Sequence, residues 1–342
     1  MTVRRGTAVA IALLFAALAA AGCGIGPGEG RGDVALTVTR DYGAEALLDR
    51  SVGDVSESDT VMRVLDRNAE IETRYGGGFV HSIGGLAAER RSGESFDWFF
   101  YVNGVESSVG AADYPLRGGE RVWWDYREWS GAMRVPAVVG SWPQPFVDGY
   151  DGERRPVAVE CMGEGEACDE VRSRLEAAGA AVTPADGTKP SISRTESARR
   201  PSSTADGTKA SVYRTESAHR SPAGGAIRVL VGTWERVRRD PAAAQIEDGP
   251  QASGVFADFV FLPRSFELRG LDQEGGPVRA FGPGAGLVAA TRRYDAPPVW
   301  VVTGAASAGV RAAAGLLDAA DLRDHYAVAT EGGEETPLPL GS

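Results

Sequence analysis

The chain has 342 residues, 43% of them hydrophobic, with 36 lysines and arginines against 47 acids and a net charge of −11. That length suits two domains, and the apolar and charged fractions are ordinary for globular protein, which excludes wholesale disorder or a multi-span membrane protein. The acidic balance excludes a nucleic-acid partner, which needs a basic footprint, and all basic residues except Lys189 and Lys209 are arginines. Lysine-bearing phosphate loops, Schiff-base enzymes and Tyr/Lys dehydrogenases are thereby set aside.

Arg4 and Arg5 precede an uncharged apolar run from Ala8 to Ala21, the n-region and h-region of a secretory signal. The run is too short and wrongly flanked for a spanning helix. It ends Ala20-Ala21-Gly22-Cys23, which resembles a bacterial lipobox, although leucine is commoner where Ala20 stands. The resemblance implies a signal peptide over 1–22, lipidation of Cys23, and a tether over 23–32. The expected location is the cell membrane, lipid-anchored on the extracytoplasmic face, with membrane contact through the N-terminal lipid; ordinary secretion is the alternative. Loss of 1–22 removes two arginines and no acid, so the mature chain is more acidic still.

The first domain is expected over 33–130. Val34, Leu36 and Val38 alternate with polar neighbours at strand period, and a second strand covers Ala46–Val52. Asp59 caps a helix to about Ala69 that shows Val61, Met62, Leu65 and Ala69 on one face. Phe79–Ile83, Asp97–Val102 and Arg121–Arg127 follow as strands, and Asn103-Gly104 between Val102 and Val105 marks a tight hairpin. One helix among five strands in this order gives a β-grasp-like α+β domain.

Thr60–Leu65, the stretch Gly78-Phe79-Val80-His81-Ser82-Ile83-Gly84-Gly85-Leu86, Trp98–Gly104 and Gly118-Gly119-Glu120-Arg121-Val122-Trp123-Trp124 resemble one family. It is the domain family related to the C-terminal β-domain of transcobalamin, found in bacterial surface proteins, and the resemblance covers about 34–127. It implies a β-grasp fold and a cobalamin-like small ligand. In transcobalamin a larger helical domain helps enclose the corrinoid, and no such domain is visible in this sequence.

Five of the seven tryptophans (Trp98, Trp123, Trp124, Trp129, Trp142) fall within 45 residues. On a strand, Val122, Trp124 and Tyr126 share one face and Trp123 and Asp125 the other; Trp98, Phe100 and Val102 likewise oppose Phe99 and Tyr101. One helix covers one face only. The second face either packs on the second domain or presents an aromatic ligand surface, with Trp123, Phe99, Tyr101 and Trp98 as candidate ligand-binding residues. His81 is either a metal ligand or a hydrogen-bonded histidine at a strand end.

Residues 131–155, rich in proline and glycine, form a linker with some local packing. The second domain, of α/β type, is expected over 156–335. Val157–Glu160 begins a strand and Asp169–Ala178 a helix. Cys161 and Cys168, a C-x6-C pair outside the cytoplasm, form a disulfide or remain thiols. The spacing is not that of a redox or zinc motif, His81, His219 and His325 lie far off in sequence, and no metal site is expected. Ala185–Arg199 recurs as Ala205–His219 with a period of 20, a Ser/Thr-rich duplication with little to bury. It reads as a disordered insert over 183–225 that holds both lysines and seven basic residues against four acids over 186–220.

Ile227–Val231 then gives a strand and Glu235–Ile246 a helix with an awkward Pro241. Val255–Leu262 and Phe266–Leu271 give a hairpin, Gly286–Thr291 and Val299–Thr303 strands, and Ala306–Ala320 a helix with Ser307 at its N-cap. Thr303–Val310 follows a strand and opens a helix, but Ala308 and Val310 stand where a dinucleotide fold needs glycines. Gly282–Gly286 precedes a strand, and Ala305 excludes a nucleophile elbow at Ser307.

These features support a cell-surface lipoprotein with a non-catalytic small-ligand-binding domain, no cofactor, and cobalamin as a conceivable ligand. The alternative is a structural or interaction lipoprotein of the cell envelope, with envelope proteins as partners and no small ligand. That alternative expects Trp123 buried against residues of its own chain. With three histidines and no recognised nucleophile motif, an enzyme is not expected.

Overall fold

The computed structural model describes residues 32–56, 58–183, 225–263 and 265–341. The signal segment, Cys23 and the tandem repeat lie outside the described residues. The chain is α+β, with two sheet-based layers packed on each other.

The first domain contains β1 (Val34–Arg40), β2 (Glu45–Val52), α1 (Val61–Asn68), β3 (Ile71–Arg74), β4 (Phe79–Ile83), β5 (Leu86–Ala87), β6 (Glu89–Arg91), β7 (Glu94–Val102), β8 (Val105–Glu106) and β9 (Arg121–Glu128). Its main sheet runs β2-β1-β9-β7-β6, with β8 on β7, and β3-β4-β5 form a separate small sheet. β1 and β9 are parallel; β2 pairs antiparallel with β1, and β7 with β9. The period-2 pattern of β1 sends Val34, Leu36 and Val38 into one core with Val122, Trp124 and Tyr126. α1 closes that face with Val61, Met62, Val64 and Leu65. Its cap is Thr60, whose hydroxyl accepts from the Arg63 amide at 3.3 Å, and not Asp59. Asp59 instead turns back to the Ser56 amide (2.8 Å) and pairs with Arg67. Asn103 and Gly104 both take positive φ (52° and 77°), as a two-residue hairpin requires.

The 131–155 segment is well packed. Ala137 bridges to Val105, α2 (Gln144–Val147) forms one turn, and Trp142 and Phe146 pack on Trp300 with ring centroids 5.9 and 4.8 Å away. It therefore shares a core with the second domain instead of spacing the two apart.

The second domain contains β10 (Val157–Cys161), α3 (Gly165–Ala177), β11 (Val182–Thr183), β12 (Ile227–Thr233), α4 (Trp234–Val237), α5 (Pro250–Ser253), β13 (Ala257–Leu262), β14 (Ser265–Leu271), β15 (Pro277–Ala280), β16 (Gly286–Thr291), β17 (Val299–Gly304), α6 (Ser307–Gly315), α7 (Ala319–Leu322), β18 (Ala327–Glu331) and β19 (Glu334–Leu338). Its seven-stranded sheet runs β11-β10-β12-β17-β16-β18-β19, and β13-β14-β15 make a second sheet. The first four strands of the large sheet are parallel and the last three antiparallel. α3 and α6 share a core with Val159, Val229, Val231 and Val302.

Pro241 breaks the expected helix over 235–246. α4 ends at Val237, and the Asp240 carboxylate takes the Ala242 and Ala243 amides at 2.9 and 3.4 Å before a 3-10 turn at Ala243–Asp248. The helix expected over 306–320 also divides. Ala306 is its cap, the Ser307 hydroxyl bonds Glu164 at 3.1 Å, and Asp318 recaps the chain as α7 through the Ala320 amide at 2.8 Å.

Cys161 at the end of β10 and Cys168 in α3 form a disulfide with their Cα atoms 5.8 Å apart. Closing so short a loop restricts the unfolded chain by about 2.5 kcal/mol. Cys161→Ser/Cys168→Ser is therefore expected to lower unfolding free energy by about 2 kcal/mol in urea denaturation, with the sheet's circular dichroism retained.

Candidate functional site

Alternation along β7 and β9 puts the four candidate residues on different surfaces. Trp123 and Tyr101 point toward the second domain and are buried there, at 0% and 1% exposure. Tyr326, immediately before β18, meets both rings edge-on at centroid distances of 5.4 and 5.8 Å. The Trp123 indole N–H donates to Thr39 Oγ1 (2.8 Å), and Thr39 donates to Asp125 Oδ1 (2.6 Å). Asp125 also accepts from the Gly43 amide (3.1 Å) and, at Oδ2, from the Tyr326 hydroxyl (2.9 Å), which receives the Tyr101 hydroxyl at 3.3 Å. Arg121 pairs with Asp324 across the same seam. Gly43 has φ +86°, and a Cβ there would run into the Asp324 carbonyl, so glycine lets the two backbones touch.

Burial pushes the Asp125 carboxyl up to about 6, against the hydrogen bonds from Thr39 and Tyr326 and the charge of Arg127. Burial likewise raises the Tyr326 and Tyr101 hydroxyls, Tyr101 to about 12. Arg127 is fully buried, lies 3.8 Å over the Phe99 ring and donates to the Ala132 carbonyl at 2.7 Å. This face is an interior between domains. Thr39, Asp125, Arg127 and Tyr326 complete it, and the sequence signal available was the polar Asp125 and Arg127 alternating with Trp123 on a central strand.

The opposite face is partly open. A groove of about 230 Å³ lies along Asp97–Phe100 of β7, walled by Gly78–Val80, with Glu106, Ser107, Gly110 and Ala111 at one end and Trp124 below. Phe79 is 38% exposed at its rim. The Phe100 and Trp124 rings lie 4.9 Å apart, and the Trp98 indole is held by its N–H bond to the Leu86 carbonyl at 2.9 Å. Of the four candidates, only Trp98 and Phe99 line this groove; Trp123 and Tyr101 do not. Phe79, Phe100 and Trp124 do, and all three stand in the stretches that carry the family resemblance. Burial raises the carboxyls of Asp97 and Glu106 above the usual range. His81 Nε2 sits 2.8 Å from Arg74 Nη2. Among the described residues no group of three His, Cys, Asp or Glu is placed to hold a metal ion.

A family model described as a domain of unknown function, DUF4430, matches residues 58–128, which contain every residue lining the groove. Haptocorrin in complex with Cbi is similar at 22% identity and a TM-score of 0.24, over 28% of this chain and 25% of that one. The chain thus matches about a quarter of haptocorrin's length. A Ruminococcus gnavus protein provisionally described as metal binding is similar at 14% identity and a TM-score of 0.23, over 29% of this chain and 98% of that one. No curated protein matches.

Proposed function

We propose that this is a non-catalytic binding protein of the cell surface, anchored to the membrane by lipid on Cys23, whose β-grasp-like first domain takes a ligand in the groove beside β7. The observation that carries this reading is an open aromatic recess, walled by Phe79 and floored by Trp98, Phe100 and Trp124, inside the family-matched segment. Phe79 is exposed and Phe100 half-buried, whereas Trp98 and Trp124 are buried beneath them, so an apolar ligand gains chiefly by covering the Phe79 and Phe100 rings. At about 230 Å³ the groove is smaller than most small-molecule sites, so a corrinoid-sized ligand would seat only one edge in it.

The second reading, an envelope interaction protein without a small ligand, is favoured by the burial of Trp123 and Tyr101 against Tyr326. Tryptophan fluorescence separates the two. Titration with cobalamin, with free aromatic molecules and with short apolar or basic peptides is expected to quench Trp98 and Trp124 emission for at least one class. Phe79→Ala, at a partly exposed ring, is expected to weaken that binding about tenfold while shifting Tm little. Unchanged emission with every class would leave the interaction reading standing.

A further inference from the structure

We infer that the occupant of the groove is an extended peptide, added as a strand to the open edge of β7, with an apolar and a basic side chain on adjacent residues. The inference rests on the groove being the binding site. One edge of β7 is paired with β9 from Phe96 to Val102. The other is paired in two pieces: β6 covers Glu94–Phe96, and β8 covers Tyr101–Val102. Asp97–Phe100 lies between them.

The phase of the ladder fixes which backbone groups face that gap. The Asn103 amide donates to the Arg121 carbonyl at 2.8 Å and the Trp129 amide to the Ser95 carbonyl at 3.0 Å, so the odd-numbered residues of β7 bond β9. Trp98 and Phe100 therefore turn their N–H and C=O groups into the gap. The Asp97 carboxylate takes the Trp98 amide at 2.8 Å. The Trp98 carbonyl and the Phe100 amide have no protein partner among the described residues, whereas the Tyr101–Glu106 pair turns the Phe100 carbonyl toward the Ser107 amide. A compact apolar molecule would cover the aromatic walls and leave those groups dry and unpaired, at a cost. An extended chain supplies the alternating donors and acceptors they need.

The gap is four residues long, about 13 Å at strand rise, which accommodates three or four residues of a partner. Side-chain alternation then gives a pattern. One partner side chain falls on the Trp98/Phe100/Trp124 side, beside Phe79, and should be apolar. Its neighbours fall on the Asp97/Glu106 side. Glu106 is paired with Arg134 at 3.0 Å, whereas Asp97 has no ion pair among the described residues and offers its carboxylate to a cation. Valine alternating with arginine meets both requirements.

The test uses the full chain and the peptide acetyl-Val-Arg-Val-Arg-Val-amide, with hydrogen exchange read at the Phe100 amide and affinity read by tryptophan fluorescence. Peptide is expected to protect the Phe100 amide at least tenfold. Of two analogues N-methylated at alternate residues in the two possible registers, one should lose binding and the other keep it. Asp97→Asn, which retains an oxygen for the Trp98 amide, should weaken the arginine peptide several-fold and leave a glutamine version unchanged. Equal binding by both methylated analogues would overturn the inference. So would protection of Phe100 by protein concentration alone, which would make a second copy the occupant. If the peptide leaves Phe100 unprotected while cobalamin or an aromatic molecule still quenches in a Phe79-dependent way, the peptide inference fails and the groove remains a binding site. If no class binds, both fail.

Discussion

Trp123→Ala is expected to lower the unfolding free energy by about 3–5 kcal/mol, the range for truncating a large buried aromatic ring. Trp123 has no solvent exposure, and its ring is enclosed by Tyr101 at 5.6 Å and Tyr326 at 5.4 Å. Its core is shared with Leu230, Trp234, Leu287 and Val301 of the second domain. Truncation would open a cavity at the seam and free the Thr39 hydroxyl of the indole it accepts from. Because the lost contacts join the two layers, the loss should fall on both together, as a single urea transition at lower midpoint. Trp123→Phe keeps a ring in place and removes the indole N–H, so it should cost much less, about 1–2 kcal/mol. The same pair of variants discriminates between readings of this aromatic face. A residue whose role was to touch a ligand would give a variant of near-normal stability and lost affinity. A residue holding two layers together gives the reverse, and the geometry predicts the reverse.

Strand period alone left undecided which face of β9 meets the second domain; in the structure all eight residues of the strand are buried. Alternation placed Trp123 opposite Trp124 correctly, because a strand allows only two sides. What covers each side depends on how the second domain docks, and the residues that do the covering, Tyr326 and Asp324, lie about 200 positions downstream with no local motif to mark them. The strands with a clear pattern, Val34–Arg40, Phe79–Ile83, Val157–Cys161 and Gly286–Thr291, stand close to where periodicity put them. β3, β5, β6, β11, β15, β18 and β19 were missed: Leu86–Ala87 and Val182–Thr183 are two residues long, Ile71–Arg74, Glu89–Arg91 and Pro277–Ala280 are short and largely exposed, and Glu334–Leu338 carries two acids and a proline. Helix starts were misplaced, by one residue where Asp59 and Thr60 competed for the cap and by four where the helix expected from Asp169 begins at Gly165. In that pair the ion pair with Arg67 drew the aspartate away from capping. The groove was half legible. Trp98 and Phe99 were named, but an unpaired stretch of strand edge exists only once β6 and β8 take their places on either side.

The stability of the domain seam should depend on pH in the direction opposite to that of an ordinary salt-bridged acid. Asp125 is fully buried, and its carboxyl titrates near 6 in the folded chain because burial disfavours the charged form. An unfolded aspartate titrates near 3.9, so between about pH 4 and pH 6 the folded state holds a proton that the unfolded state has released. Stability from this group is therefore highest below about pH 4 and falls as pH rises through 6, by about 3 kcal/mol for a two-unit displacement. Asp59 acts in the other sense. Its pairing with Arg67 holds it down to about 2, and the stability it contributes is lost as pH falls from 4 toward 2. Asp321 is also raised to about 6, by burial with Glu335 and Asp318 beside it, but it is partly exposed and solvent screening reduces its share. Asp125→Asn isolates the seam. The amide oxygen can still accept from Thr39 and Gly43, and its NH2 can face the Tyr326 hydroxyl, so the cost at pH 4 should be small. Measured by urea denaturation, the stability of the variant relative to the parent should climb by about 2 kcal/mol between pH 4 and pH 7, because the parent alone must bury a charge. A difference that stays flat over that range would mean the Tyr326, Thr39 and Arg127 contacts already compensate the carboxylate, and that acid does not tighten the seam.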